Sequence, residues 1–181
     1  YNIIELNCKA SEKIRDSAAF SIAYDHVKTA ISWLPESAWQ DREQLCWRIY
    51  SHASEFAYLS GAPDEAEAYL AILLDHSHDD LTRAKIYLMR SVQYHYRRDY
   101  LASIQASLEG LKLLGFRLKE YPSTLTIMKE VIRAKLVLGK RSISDLVLQP
   151  EIEDERSRIA LKFLVSLITP SYMQGNGNLF A

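Results

Sequence analysis

From Asn2 to about Leu114 apolar residues return every third or fourth position, and strict apolar–polar alternation is absent. That spacing gathers apolar side chains on one stripe of a helix and gives no pattern for a half-buried strand. Only 6 Gly and 5 Pro occur in 181 residues, so tight turns are few and the helices between them long. The clearest unit runs from Trp47 to Ser60 as one helix, turns at Gly61-Ala62-Pro63 and continues from Asp64 to Asp75 as a second. Pro63 falls at a helix start, where its missing N–H is harmless, and Asp64 and Glu65 suit the positive end of the helix dipole. Ala66 is small enough to let the two helices approach closely.

The unit recurs. In the tetratricopeptide repeat an aromatic residue, small residues, a tight turn, Tyr or Phe and an Ala follow one another within roughly 34 residues. The second copy supplies Tyr50, Ala53, Ser54, Gly61 and Ala66. A first gives Ala10, Ser11, Ala18, Phe20, Ala23, Ala30 and Pro35; a third gives Tyr87, Ser91, Tyr94, Tyr100 and Ser103, followed by Gly110 and Leu111. The extra length relative to the standard unit falls in Glu36–Arg42 and near Ser77–Asp80, between pairs. The copies are degenerate: Asn7 stands at an aromatic position in the first, and Arg98 replaces the turn glycine in the third. The expectation is an all-α, right-handed superhelix of antiparallel helix hairpins. Three TPR-like hairpins would fill 1–117 (about 4–37, 47–80 and 84–117), with further helices of the same superhelix in 118–181.

Past Gly115, Ser123 is placed to cap a helix over Thr124–Leu138, and Ser144–Leu148 reads as a short helix ended by Pro150. Asp154–Ile168 reads as a strong helix ended by Pro170. On it Ile159, Ala160, Phe163, Leu164, Leu167 and Ile168 form one wide apolar face, which Leu161 and Val165 extend. Terminal repeats carry a polar outer face, so this helix is expected to be covered by further chain, a partner, or a second copy through self-association. Tyr1 stands inside a helical pattern and an apolar stretch restarts after Gly175–Asn178. A segment truncated from a longer polypeptide is the expectation.

A formal charge of −1 gives no electrostatic reason to expect nucleic acid or an anionic membrane surface. No apolar run approaches the roughly 18 residues of a membrane span, and no signal-peptide pattern occurs. Two cysteines, Cys8 and Cys46, form no disulfide framework and fit a reducing, cytoplasmic setting.

The succession AAFSIAYDHVKTAISWLPESAW, AYLSGAPDEAEAYLAILL, LEGLKLLGFRLKEYPS and ISDLVLQPEIEDERSRIALKFL is similar to one region of large bacterial signalling proteins. Those proteins join a serine/threonine-kinase-like domain, an AAA-type ATPase, a tetratricopeptide-like stretch, a GAF domain and often a histidine kinase. The resemblance implies the helical middle of such a protein, without its catalytic neighbours. A weaker resemblance is to the helical regions of ATPase-type transcriptional activators, which implies a small-ligand sensor as the alternative.

Motifs of chemistry are missing. Ala134–Arg141 lacks the first Gly and the Ser/Thr of a phosphate-binding loop, and there is no HExxH, GxSxG or CxxC. His52 lies on another helix face from Cys46, so neither cysteine is expected to act as a nucleophile. Asp75–Asp80, DHSHDD, holds two imidazoles and three carboxylates but falls where one pair ends and the next begins. Its histidines suit a helix C-terminus and Asp79 or Asp80 a helix N-cap, rather than a metal site. No catalytic, cofactor-binding or metal-binding residue is assigned, no cofactor is expected, and the fragment is read as non-enzymatic. The candidate interaction groove is the first-helix face of each pair: Arg48, Ser51, Glu55 and Tyr58 in the second copy, Lys85, Leu88, Val92 and His95 in the third. Its mixed character suits a protein partner, either a peptide or a flanking domain of the same chain.

Overall fold

The computed structural model describes residues 2–15, 19–139 and 152–175. Among them every regular element is a helix: α1 Asn2–Arg15, α2 Phe20–Ser32, α3 Ala38–Asp41, α4 Glu43–Leu59, α5 Pro63–Asp75, α6 Asp80–Tyr96, α7 Tyr100–Leu113, α8 Thr124–Leu138 and α9 Glu155–Met173. The chain divides into two compact units, Tyr1–Ser77 and His78–Ala181. None of the described helices is long and apolar enough to cross a membrane.

In the first unit α1 pairs with α2 and α4 with α5, while α2 also packs on α4. The core joins Ile4, Val27, Ile49 and Phe56 to Ala23, Ala30, Ala53, Ala57 and Ala66. So much alanine lets helix backbones approach closely around the wholly buried Phe56 ring. Asn7, the departure from the aromatic position, accepts at Oδ1 a 2.9 Å hydrogen bond from His26 Nδ1–H of α2, so a polar pair stands where a ring would. The Tyr24 hydroxyl donates to Glu65 at 2.6 Å and lies 3.2 Å from the Tyr69 hydroxyl, tying α2 to α5.

In the second unit α6 pairs with α7 and α9 packs against both. Buried Ala84, Ile104, Leu111, Phe163 and Leu167 form its core. Ser103 Oγ on α7 donates to the Ser91 carbonyl of α6 at 2.8 Å, a crossing that only small residues permit. Gly110 makes room for α9: a Cβ there would stand 2.1 Å from Cζ of Phe163. The third helix pair thus shares its core with α9, whose apolar face is covered along Ile159, Ala160, Phe163 and Leu167 while Leu161, Leu164, Val165 and Ile168 stay exposed.

Helix starts follow local chemistry. Asp79, Asp99, Ser123 and Asp154 each accept a hydrogen bond from the backbone N–H three residues on. Pro170 corrects one expectation, since α9 runs through it to Met173. Proline removes a single helical hydrogen bond, and Pro170 and Ser171 are both buried, so packing holds the last turn together. The Pro170 carbonyl still accepts from the Gln174 N–H at 3.0 Å. The expected Ser144–Leu148 helix lies outside the described residues, as does most of Gly175–Asn178.

Candidate functional site

On α4, Arg48 reaches toward Glu12 of α1, with Nε 3.9 Å from the carboxylate, and is well exposed. Ser51 and Glu55 are partly buried, and Tyr58 packs against the first core. On α6 the corresponding residues are largely occupied by the chain itself. Lys85 pairs with Glu155 of α9 at 2.6 Å, and Leu88 packs into the core that α9 completes. Val92 is exposed, and the His95 ring lies 5.6 Å from Tyr96 and 5.9 Å from Tyr100 between centroids. Lys85 and Leu88 therefore serve as part of the seat for α9.

The DHSHDD segment is structural. His76 stacks face to face on Trp39, with centroids 3.8 Å apart and planes 14° apart. Its Nδ1–H donates to the Ile72 carbonyl at 2.9 Å, closing the C-terminal turn of α5. Trp39 stacks on Tyr50 with its other neighbours arranged edge-on at Trp47. Trp39 belongs to the extra stretch Glu36–Arg42, so this insertion packs on the C-cap residue of α5. Asp79 caps α6 through Thr82, accepting from its backbone N–H at 2.9 Å and its hydroxyl at 2.6 Å. Those two bonds hold the Asp79 carboxyl below its ordinary pKa.

A different cluster was not visible from spacing. Cys8 and Glu12 stand one turn apart on α1, and His52 comes from α4. Cys8 Sγ lies 3.7 Å from His52 Nδ1 and 4.0 Å from Glu12 Oε1, and His52 Nδ1 is 3.8 Å from the same oxygen. Among the described residues this is the group of three metal-ligand side chains whose donor atoms all lie within 4.8 Å of one another. The thiol is fully buried, whereas the Glu12 side chain is 33% exposed and that of His52 15%. Burial raises the Cys8 pKa, against the opposite pull of Arg48 and with that of Glu12. A thiol so placed is protonated at neutral pH and shielded from any bulky electrophile, which makes it a poor nucleophile. The pairing of Cys8 with Glu12 was readable as an i, i+4 relation, but His52 lies 44 residues away and needed the helix packing to bring it in.

No protein-family model matches this chain, and no curated protein or solved structure matches it. Fold and site define it in physical terms: an all-helical protein of paired helices carrying a thiol–carboxylate–imidazole cluster between α1 and α4.

Proposed function

We infer that this chain is a non-catalytic interaction and relay module, a superhelix of degenerate tetratricopeptide-like hairpins from a larger signal-transduction protein with ATPase or kinase-like parts. Its partner is a protein, and the occupant we favour is a neighbouring domain of the same polypeptide. The observation that carries this reading is α8. None of its residues is buried, yet Leu125, Met128, Ile132 and Leu136 recur along one strip, with Leu125 80% and Leu136 77% exposed. A helix of 15 residues is marginal in water by itself, so an uncovered apolar strip of this length is suited to a helical partner face. The exposed flank of α9, Leu161, Leu164, Val165 and Ile168, adds apolar surface of the same kind.

Photo-reactive residues at Leu125 and Leu136 of the intact protein test this, with Glu130 on the polar side of α8 as control. The expected result is crosslinking from the two apolar positions into another domain of the same polypeptide and little from Glu130. Equal yields from all three positions, or none, overturn the reading; crosslinks between identical copies replace the flanking domain with self-association.

A further inference from the structure

We propose that Cys8, Glu12 and His52 form a binding site for a single zinc ion, which clips α1 to α4. The three donor atoms make a nearly equilateral triangle with edges of 3.7, 3.8 and 4.0 Å. Zinc bonds of about 2.3 Å to sulfur and about 2.0–2.2 Å to nitrogen and oxygen, arranged tetrahedrally, require donor separations of about 3.5 Å. A contraction of a few tenths of an ångström per edge brings the existing side chains onto the metal, within the reach of rotamer adjustment.

The donor set suits the ion. Thiolate and imidazole favour zinc over the hard cations, and thiolate with carboxylate neutralises a double positive charge. Zinc displaces the proton that burial otherwise keeps on Cys8. The ion has a way in from the side of Glu12, whose side chain is 33% exposed. Arg48 is the opposing group: its Nε lies 3.9 Å from the Glu12 carboxylate and its charge also acts on Cys8, so it must swing outward on binding, which its exposure allows. Three protein donors leave the fourth position to water.

The site is independent of the interaction surface on α8, and its test does not touch that reading. Cobalt(II) titrated into the full chain under reducing conditions is expected to give one equivalent of binding with a thiolate-to-cobalt charge-transfer band and tetrahedral ligand-field intensity. Zinc should displace it and raise the melting temperature reversibly with a chelator. Cys8→Ser and His52→Gln each remove a ligand and should weaken binding by more than the about 10–100-fold that loss of an outer-shell partner costs, while Cys46→Ser keeps the band. Arg48→Gln should tighten binding several-fold by removing the competing cation. Helical circular dichroism identifies a variant that fails to fold, and the other ligand variant then decides. No charge-transfer band in the wild-type chain overturns the proposal, as does a band that survives in folded Cys8→Ser or His52→Gln.

Discussion

The second and third hairpins end their first helices with the same turn, built from different residues. At the end of α4 the N–H groups of Ser60, Gly61 and Ala62 return to the carbonyls of Phe56, Tyr58 and Ala57. At the end of α6, Arg97, Arg98 and Asp99 return to Gln93, His95 and Tyr94 in the same pattern. The central residue is left-handed in both, with φ of 84° at Gly61 and 61° at Arg98. Glycine adopts that conformation freely, whereas a residue with a Cβ is strained there by roughly 1–2 kcal/mol. The hairpins also differ in how the next helix starts. Pro63 opens α5 without a side-chain cap, while Asp99 caps α7 by accepting from Ala102. A chain reversal of this length dictates the backbone geometry, and the residue chemistry follows it with latitude: the third hairpin tolerates its strained arginine and gains a capping carboxylate one residue later.

The larger difference is what covers each pair. Phe163 of α9 fills the space over Gly110, and it is wholly buried. Phe163→Ala should cost about 3–5 kcal/mol, seen as faster hydrogen exchange in α6 and α7 with the amides of α4 and α5 unchanged. A uniform loss of protection across both hairpins would break the distinction between the two units. Protection unchanged everywhere would mean that α9 contributes little to the third pair.

Much of this was legible in the residues. The reversal at Gly61–Pro63, the cap at Ser123 and the cap expected at Asp79 or Asp80, which falls to Asp79, each depend on a few adjacent residues. Small residues at regular spacing, such as Ala53, Ser54, Ala66, Ser91 and Ser103, are buried as their pattern implied. What spacing could not supply was contact between distant segments. His76 ends α5 as a helix-end residue should, but its stacking on Trp39 needed the packing of the Glu36–Arg42 stretch against that end. Cys8 has no histidine close to it in sequence, and its partner His52 arrives from another hairpin. Pro170 departs from expectation for the opposite reason: the local rule for proline holds, and burial overrides it.

Exchanging the turn residues sharpens the comparison on a smaller scale. Gly61→Ala should destabilise by about 1 kcal/mol, because nothing crowds the position and the cost is all backbone. Arg98→Gly should stabilise by about 0.5–1 kcal/mol, the relief of strain being partly offset by the greater freedom of glycine in the unfolded chain. Urea denaturation reads both. Effects of equal sign would show that the two turns, despite identical hydrogen bonding, are under different constraints.

Helix starts extend the contrast and give the smallest effect, one that depends on pH. No side-chain cap closes the start of α4, whereas α6 begins with Asp79 bonded to Thr82. Asp79→Ala should therefore cost about 1 kcal/mol at neutral pH, and an equivalent change at Arg42, before α4, should cost less. The folded-state pKa of Asp79 is lowered, first by the Thr82 hydroxyl and then by its backbone N–H. A lowered pKa means that the ionised cap stabilises fully above the ordinary value of 3.8 and loses that contribution as pH falls through the folded-state value. Urea midpoints of wild type and Asp79→Ala should accordingly stand apart at pH 7 and converge below the ordinary value. Because the carboxylate is almost wholly in solvent, added salt should also narrow the gap. A gap independent of both pH and salt would show that Asp79 acts at the start of α6 through its shape and not through its charge.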